Sequence, residues 1–235
     1  MNRELEDYLN LYQSIEIKQN EKGIKLSHMS LILIAIIPML TTILAANLKW
    51  MPAFSYGFGK LAMLVIPFLI MNHIKKDWSV IQWKPAIISF LILGIAPLAF
   101  VCFGGLENLD ASGIRTNMES LNLLPYFYLI SFLLSFINAP LEEWFFRGYL
   151  HEELKKITSN HCFWTSFIFS LHHLAILVIY FDLTFALLFT FGTGVAGYVW
   201  SKMRDKGSSL MCLSVSHILC DLLVILLPGH LLLFK

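Results

Sequence analysis

The chain has 235 residues, of which 57% are hydrophobic and only 14% charged, with a net charge of +1 and a mean hydropathy of +0.68. Soluble domains carry about a quarter charged residues, so this composition excludes a water-soluble enzyme built on one large core and indicates a polytopic membrane protein. No basic stripe is present, which excludes nucleic acid as a partner, and Cys102, Cys162, Cys212 and Cys220 form no C-x-x-C pair, so they are read as free thiols and not as a disulfide framework or zinc knuckle.

From the N-terminus, residues 1–26 are polar, with Leu5, Tyr8, Leu9, Tyr12 and Ile15 at helical spacing and Gly23 near the end. This pattern predicts an amphipathic helix on the cytoplasmic membrane surface, with no cleavable signal peptide. Apolar stretches follow at 27–48, 54–74, 85–104, 122–146, 160–181, 183–201 and 208–228. A spanning helix needs about 20 apolar residues, so the expected fold is all-α with seven transmembrane helices. Three accessory spans lie in 27–121, and a four-helix core fills 122–235. The polar stretch 104–122 reads as a connector.

Charge bias gives an independent test. With the N-terminus in the cytoplasm, thirteen Lys and Arg residues fall on the cytoplasmic side, Arg147 among them; Lys49, Lys60, Arg115 and Lys235 fall opposite. That asymmetry predicts N-in, C-out. Trp50, Trp78 and Trp83 fit interfacial anchors.

Ionisable side chains inside apolar helices mark functional positions, because a central charge costs roughly 2.5–3.5 kcal/mol. The fourth span ends in "SFINAPLEEWFFRGYL". Glu143 and Arg147 are four apart in the favourable order and predict a buried ion pair. Glu142 points about 100° away and has no such partner, which leaves it free for chemistry. Pro140 predicts a kink that opens this helix. The fifth span carries His172 and His173; the seventh carries His217 and Asp221 on one face. At about 1.5 Å per residue, Glu142 lies about 7–12 Å deep, His217 about 14 Å, and His173 and Asp221 about 20 Å, so they can converge on one cavity. Of two adjacent histidines one must point elsewhere, and His172 is expected to be that one. His28, His73, His151, His161 and His230 sit at span ends or in loops and suggest no role. Gly192, Thr193, Gly194, Ala196 and Gly197 read as close helix packing. The acids and histidines lack the H-E-x-x-H spacing of zinc peptidases and the E-x-x-H repeat of di-iron bundles, so no metal or other cofactor is expected.

At these residues the sequence resembles the CPBP family, also called the Abi or CAAX-protease-like family. "EEWFFR" matches its E-E-x-x-x-R motif, "FSLHH" (Phe169 to His173) its F-x-x-x-H, which selects His173, and "HILCD" (His217 to Asp221) its H-x-x-x-N or H-x-x-x-D. The resemblance covers roughly residues 122–230. It implies a metal-independent, glutamic-type intramembrane endopeptidase working from a cavity open to the cytoplasm. Glu142 would activate water and His173 position it. His217 and Asp221 would line the oxyanion side, and Glu143 and Arg147 would hold the geometry. Asp221 departs from the Asn of many relatives: ionised, it cannot donate to an oxyanion, so either it is protonated or it orients His217.

The implied substrate is a membrane-associated peptide or protein tail. In a bacterial cytoplasmic membrane it would not be a prenylated C-a-a-X protein. The rival readings are a non-catalytic scaffold or bacteriocin-immunity partner, and a proton-relaying transporter, although inverted repeats are not evident. Beyond the lipid bilayer and a substrate, no partner is implied, and the sequence leaves the oligomeric state open.

Overall fold

The computed structural model describes residues 28–48, 50–70, 78 and 82–234. The amphipathic helix expected within 1–26 lies outside them. Every regular element among the described residues is helical. α1 runs from His28–Thr42 and continues through a π-turn, Ile43–Asn47; α2 is Pro52–Ile70 and α3 Trp83–Cys102. A short helix α4, Ala111–Ser120, precedes α5 (Leu124–Lys155), α6 (His161–Tyr180), α7 (Leu183–Asp205) and α8 (Leu210–Leu233).

Five of these, α3 and α5 to α8, are long and apolar enough to cross a membrane, and α1 and α2 contain the shorter apolar helices Met29–Ala45 and Phe54–Ile70. The seven rods match the seven apolar stretches, and the protein is an integral, multi-pass membrane protein. Their exposed side chains are large and apolar, Phe68, Ile95, Phe191 and Trp83 among them, as expected of helices whose outer solvent is lipid.

Two boundaries differ from the sequence expectation. α5 does not stop near residue 146 but continues to Lys155, because "EELK" is a run of good helix formers and no proline stands between residues 146 and 158. The connector 104–122 contains α4, whose first turn is capped by the Asp110 carboxylate accepting from the Gly113 N–H at 2.9 Å. Hydrogen bonds from Ser112 and from that backbone N–H hold the Asp110 carboxyl below its ordinary value. α4 is tied back to the bundle by Asn117 Nδ2 donating to the Ile179 carbonyl and Arg115 to the Leu233 carbonyl.

The core that positions the site is aromatic. Phe145, Phe146, Tyr149, Phe169 and Trp200 are all within 2% of full burial and pack with Leu150, Leu213 and Met63. α6 and α7 pack along each other, and α8 lies between α3 and α5.

Candidate active site

α5 supplies the two acids. Pro140 has no N–H to donate, and its ring crowds the carbonyl four residues back; the π-turn Leu134–Asn138 stands directly upstream of it, and a second, Trp144–Leu150, comes after Glu143. Each π-turn inserts one residue into the helical count and rotates the downstream part of the helix about its axis. Two π-turns bracket the five residues Ala139–Glu143. Among the described residues, the other two π-turns also adjoin the site: Ile43–Asn47 comes after Thr42, and Leu222–Leu226 after Asp221.

Glu142 is 2% exposed and sits at the meeting point of four basic side chains. Its Oε1 is 3.3 Å from Lys60 Nζ and 3.4 Å from His172 Nε2, and it accepts from Asn138 Nδ2 at 2.8 Å. Its Oε2 is 3.7 Å from His173 Nε2 and 4.0 Å from His217 Nε2, and is buried without a hydrogen-bond partner.

The three imidazoles share one orientation. Each Nδ1 faces an acceptor: Thr42 Oγ1 for His172 at 3.5 Å, the Phe169 carbonyl for His173 at 2.9 Å, and Glu143 Oε1 for His217 at 2.8 Å. With the Nδ1 proton committed in this way, each ring turns Nε2 toward Glu142. Asp221 Oδ1 lies 3.5 Å from His217 Nε2, the i,i+4 contact anticipated from the spacing.

Behind these groups, Glu143 and Arg147 form the expected ion pair at 3.0 Å with neither side chain exposed. Glu143 Oε1 thus accepts from both Arg147 and His217. The guanidinium lies over the rings of Phe169 and Trp200, at 4.3 and 5.3 Å from their centroids. Trp200 stacks on His217 with centroids 4.4 Å apart, and its Nε1–H donates to Ser216 Oγ, which also accepts from Ser89. Gly197 makes this approach possible. A Cβ there would stand 2.9 Å from Arg147 Nη2 and 3.0 Å from Phe169 Cδ1.

All six residues singled out from the sequence (Glu142, Glu143, Arg147, His173, His217 and Asp221) therefore lie in one cluster. Three expectations need correction. His172 does not point away: preceding His173 by about 100° of helix, it reaches Glu142 from the α1 side, where Thr42 holds it. Glu142 does have a local partner, Asn138, four residues upstream. Lys60, counted among the non-cytoplasmic charges, lies within α2 with its ammonium on Glu142.

The site is closed on most sides, and its partly exposed side chains are His173 (22%), Asp221 (18%) and Lys60 (17%). Among the described residues, the His, Cys, Asp and Glu side chains whose ligating atoms gather within 4.8 Å of one another are His151, His161, Cys162 and Asp205, not the Glu142 group.

Residues 124–223 match the model of a family described as type II CAAX prenyl endopeptidase Rce1-like. The matched segment holds all six site residues, in agreement with the resemblance to the CAAX-protease-like family. No curated protein and no solved structure matches the chain.

Proposed function

We propose that the chain is an intramembrane endopeptidase of the CAAX-protease-like kind, with Glu142 as its general base. The observation that carries this reading is a buried carboxylate with one oxygen held by the Lys60 ammonium and the Asn138 amide and the other unpartnered, facing His173 and His217. The family match over residues 124–223 supports the reaction class.

Substrate enters from the side of His173 and Asp221. Glu142 Oε2 takes a proton from water, and His173 Nε2 accepts the water's second hydrogen bond and aligns it. The water oxygen bonds to the scissile carbonyl carbon, and the electron pair moves to the carbonyl oxygen. A second proton on His217 Nε2 makes that ring the oxyanion donor, with Glu143 and Asp221 as its counter-charges. Collapse breaks the C–N bond, and the proton held by Glu142 passes to the leaving amine. Asp221 in this scheme orients His217 and need not donate. Glu143, Arg147, Asn138 and Lys60 are positioning residues.

The proposed substrate is a membrane-associated peptide or protein tail, and the proposed location is a bacterial cytoplasmic membrane. The test compares cells carrying the wild type with cells carrying Glu142→Ala at matched membrane abundance, by mapping new protein termini. Termini that vanish with the alanine identify the substrate and establish proteolysis. Unchanged termini with an intact phenotype overturn the reading and leave a scaffold or immunity partner.

A further inference from the structure

One turn beyond Arg147 on α5 lies a second polar cluster that proteolysis does not use. His151 is fully buried, and its Nε2 is 3.2 Å from Asp205 Oδ1 at the end of α7. His161 and Cys162 open α6: His161 Nε2 is 3.1 and 3.0 Å from the two Asp205 oxygens, and Cys162 Sγ is 3.1 Å from Oδ2. The two imidazoles stand edge to face with centroids 4.7 Å apart. The four ligating atoms all lie within 4.8 Å of one another. We propose that His151, His161, Cys162 and Asp205 form a structural zinc site that fastens α5, α6 and α7 together.

Three arguments support it. First, His161 faces acceptors at both nitrogens, the Thr158 carbonyl at 3.3 Å from Nδ1 and the Asp205 carboxylate at Nε2. A neutral imidazole has one N–H. With that proton on Nδ1 toward Thr158, Nε2 offers a lone pair to the carboxylate, an arrangement relieved when a cation lies between them. The Nδ1–H to carbonyl contact is also how a ligating histidine is usually held. Second, the donor set is two imidazoles, one thiolate and one carboxylate, which suits zinc and not the hard cations magnesium or calcium. On binding, the Cys162 thiol loses its proton to solvent, and thiolate plus carboxylate balance the ion's two positive charges, so the loaded site is neutral. Third, zinc–ligand bonds of about 2.0–2.3 Å imply tetrahedral edges of about 3.3–3.8 Å. The contacts from Asp205 to the other three are already 3.0–3.2 Å, so side-chain rotations bring the set to that geometry. Lys155 Nζ, 3.2 Å from Asp205 Oδ1, steadies the carboxylate from outside.

Purified full-length protein in detergent, stripped with a chelator and dialysed against Zn2+ or Co2+, tests the proposal. The expected result is about one ion per chain. The cobalt form should show the strong visible bands of tetrahedral coordination and a thiolate-to-cobalt charge-transfer band. Cys162→Ser should lose that band, and Asp205→Asn and His161→Ala should weaken binding roughly tenfold or more. Glu142→Gln should bind as wild type. A measurement needing no variant is X-ray absorption at the zinc edge: the loaded protein should show one sulfur neighbour at about 2.3 Å beside lighter ligands at about 2.0–2.2 Å. Absence of the thiolate band together with no sulfur neighbour at the zinc overturns the site and leaves Asp205 as a hydrogen-bond hub. An ion kept by Cys162→Ser and lost from Glu142→Gln also overturns it, placing the metal at the other cluster.

Discussion

A buried carboxylate can take a proton repeatedly only if one oxygen is anchored and the other is free, and the Lys60–Asn138 side of Glu142 provides the anchor. Removing the ammonium with Lys60→Met leaves a desolvated anion less well placed. Hydrogen bonds to charged groups contribute about 1.5–3 kcal/mol, which is roughly ten- to a hundredfold in rate. The expectation is a fall of that size in kcat/KM on the identified substrate, partly restored by Lys60→Arg. An unchanged rate would show that the ammonium does no positioning. Behind it, Glu143→Gln leaves the fully buried Arg147 without its counter-charge, a change that costs about 3–5 kcal/mol. It should lower the melting temperature in detergent as well as activity, whereas Glu142→Gln should lower activity with less effect on melting. The difference in legibility between these residues has a physical basis. Glu143–Arg147 and His217–Asp221 are i,i+4 pairs, so helix geometry alone exposes them. Asn138–Glu142 has the same spacing and was readable upstream by the same rule. Lys60 and Glu142 are 82 positions apart, and no local rule joins them. The place of His172 is not legible because adjacency on a helix excludes pointing the same way, but not reaching the same carboxylate from two sides.

At the scale of helices, the site depends on departures from regular α-geometry. The π-turns at Ile43–Asn47, Leu134–Asn138, Trp144–Leu150 and Leu222–Leu226 each adjoin a residue that touches the cluster or belongs to it. A hydropathy pattern locates the helices that carry them but not the single inserted residue, because one residue shifts the apolar face too little to be noticed in a span that is apolar nearly all round. Gly197 is the complementary device on α7. Alanine there gains about 1 kcal/mol of helix propensity, but its methyl group would lie 2.9 Å from Arg147 Nη2 and 3.0 Å from Phe169 Cδ1. A long side chain could usually yield, but this guanidinium is held by Glu143 and sandwiched near Phe169 and Trp200. The clash should therefore win, at about 1–3 kcal/mol of net destabilisation, measured as a lower melting temperature and reduced cleavage. Gly192, on the same helix with nothing within 4 Å of an added Cβ, should tolerate alanine without loss. Equal effects at the two glycines would refute the packing account.

For the whole molecule, the continuous apolar runs of about 20 residues dictated helices in lipid, since only helices and closed barrels satisfy the backbone there and barrel strands are shorter and alternate. Orientation is the property that remains to be measured. The structure alters the charge count on which the expectation rests: Arg147 is fully buried, and Lys60 points into the bundle, so neither reports on a flanking loop. Removing both leaves twelve cytoplasmic charges against three, so the bias survives. Each retained cytoplasmic charge lies outside the apolar stretches of the sequence, where insertion responds to Lys and Arg. The inferred arrangement puts the Asp110–α4 region and the C-terminus outside, and the loops after α2, α5 and α7 inside. Single cysteines at Ser112 and at Lys206, introduced separately into a chain whose four cysteines are replaced by serine, test it with a membrane-impermeant maleimide on intact cells. The Ser112→Cys protein should label without lysis, and the Lys206→Cys protein only after the membrane is broken. The reverse pattern would invert the topology, putting Lys155, Arg204 and the other positive charges on the outer face. Labelling of both in intact cells would instead show that the chain inserts in two orientations.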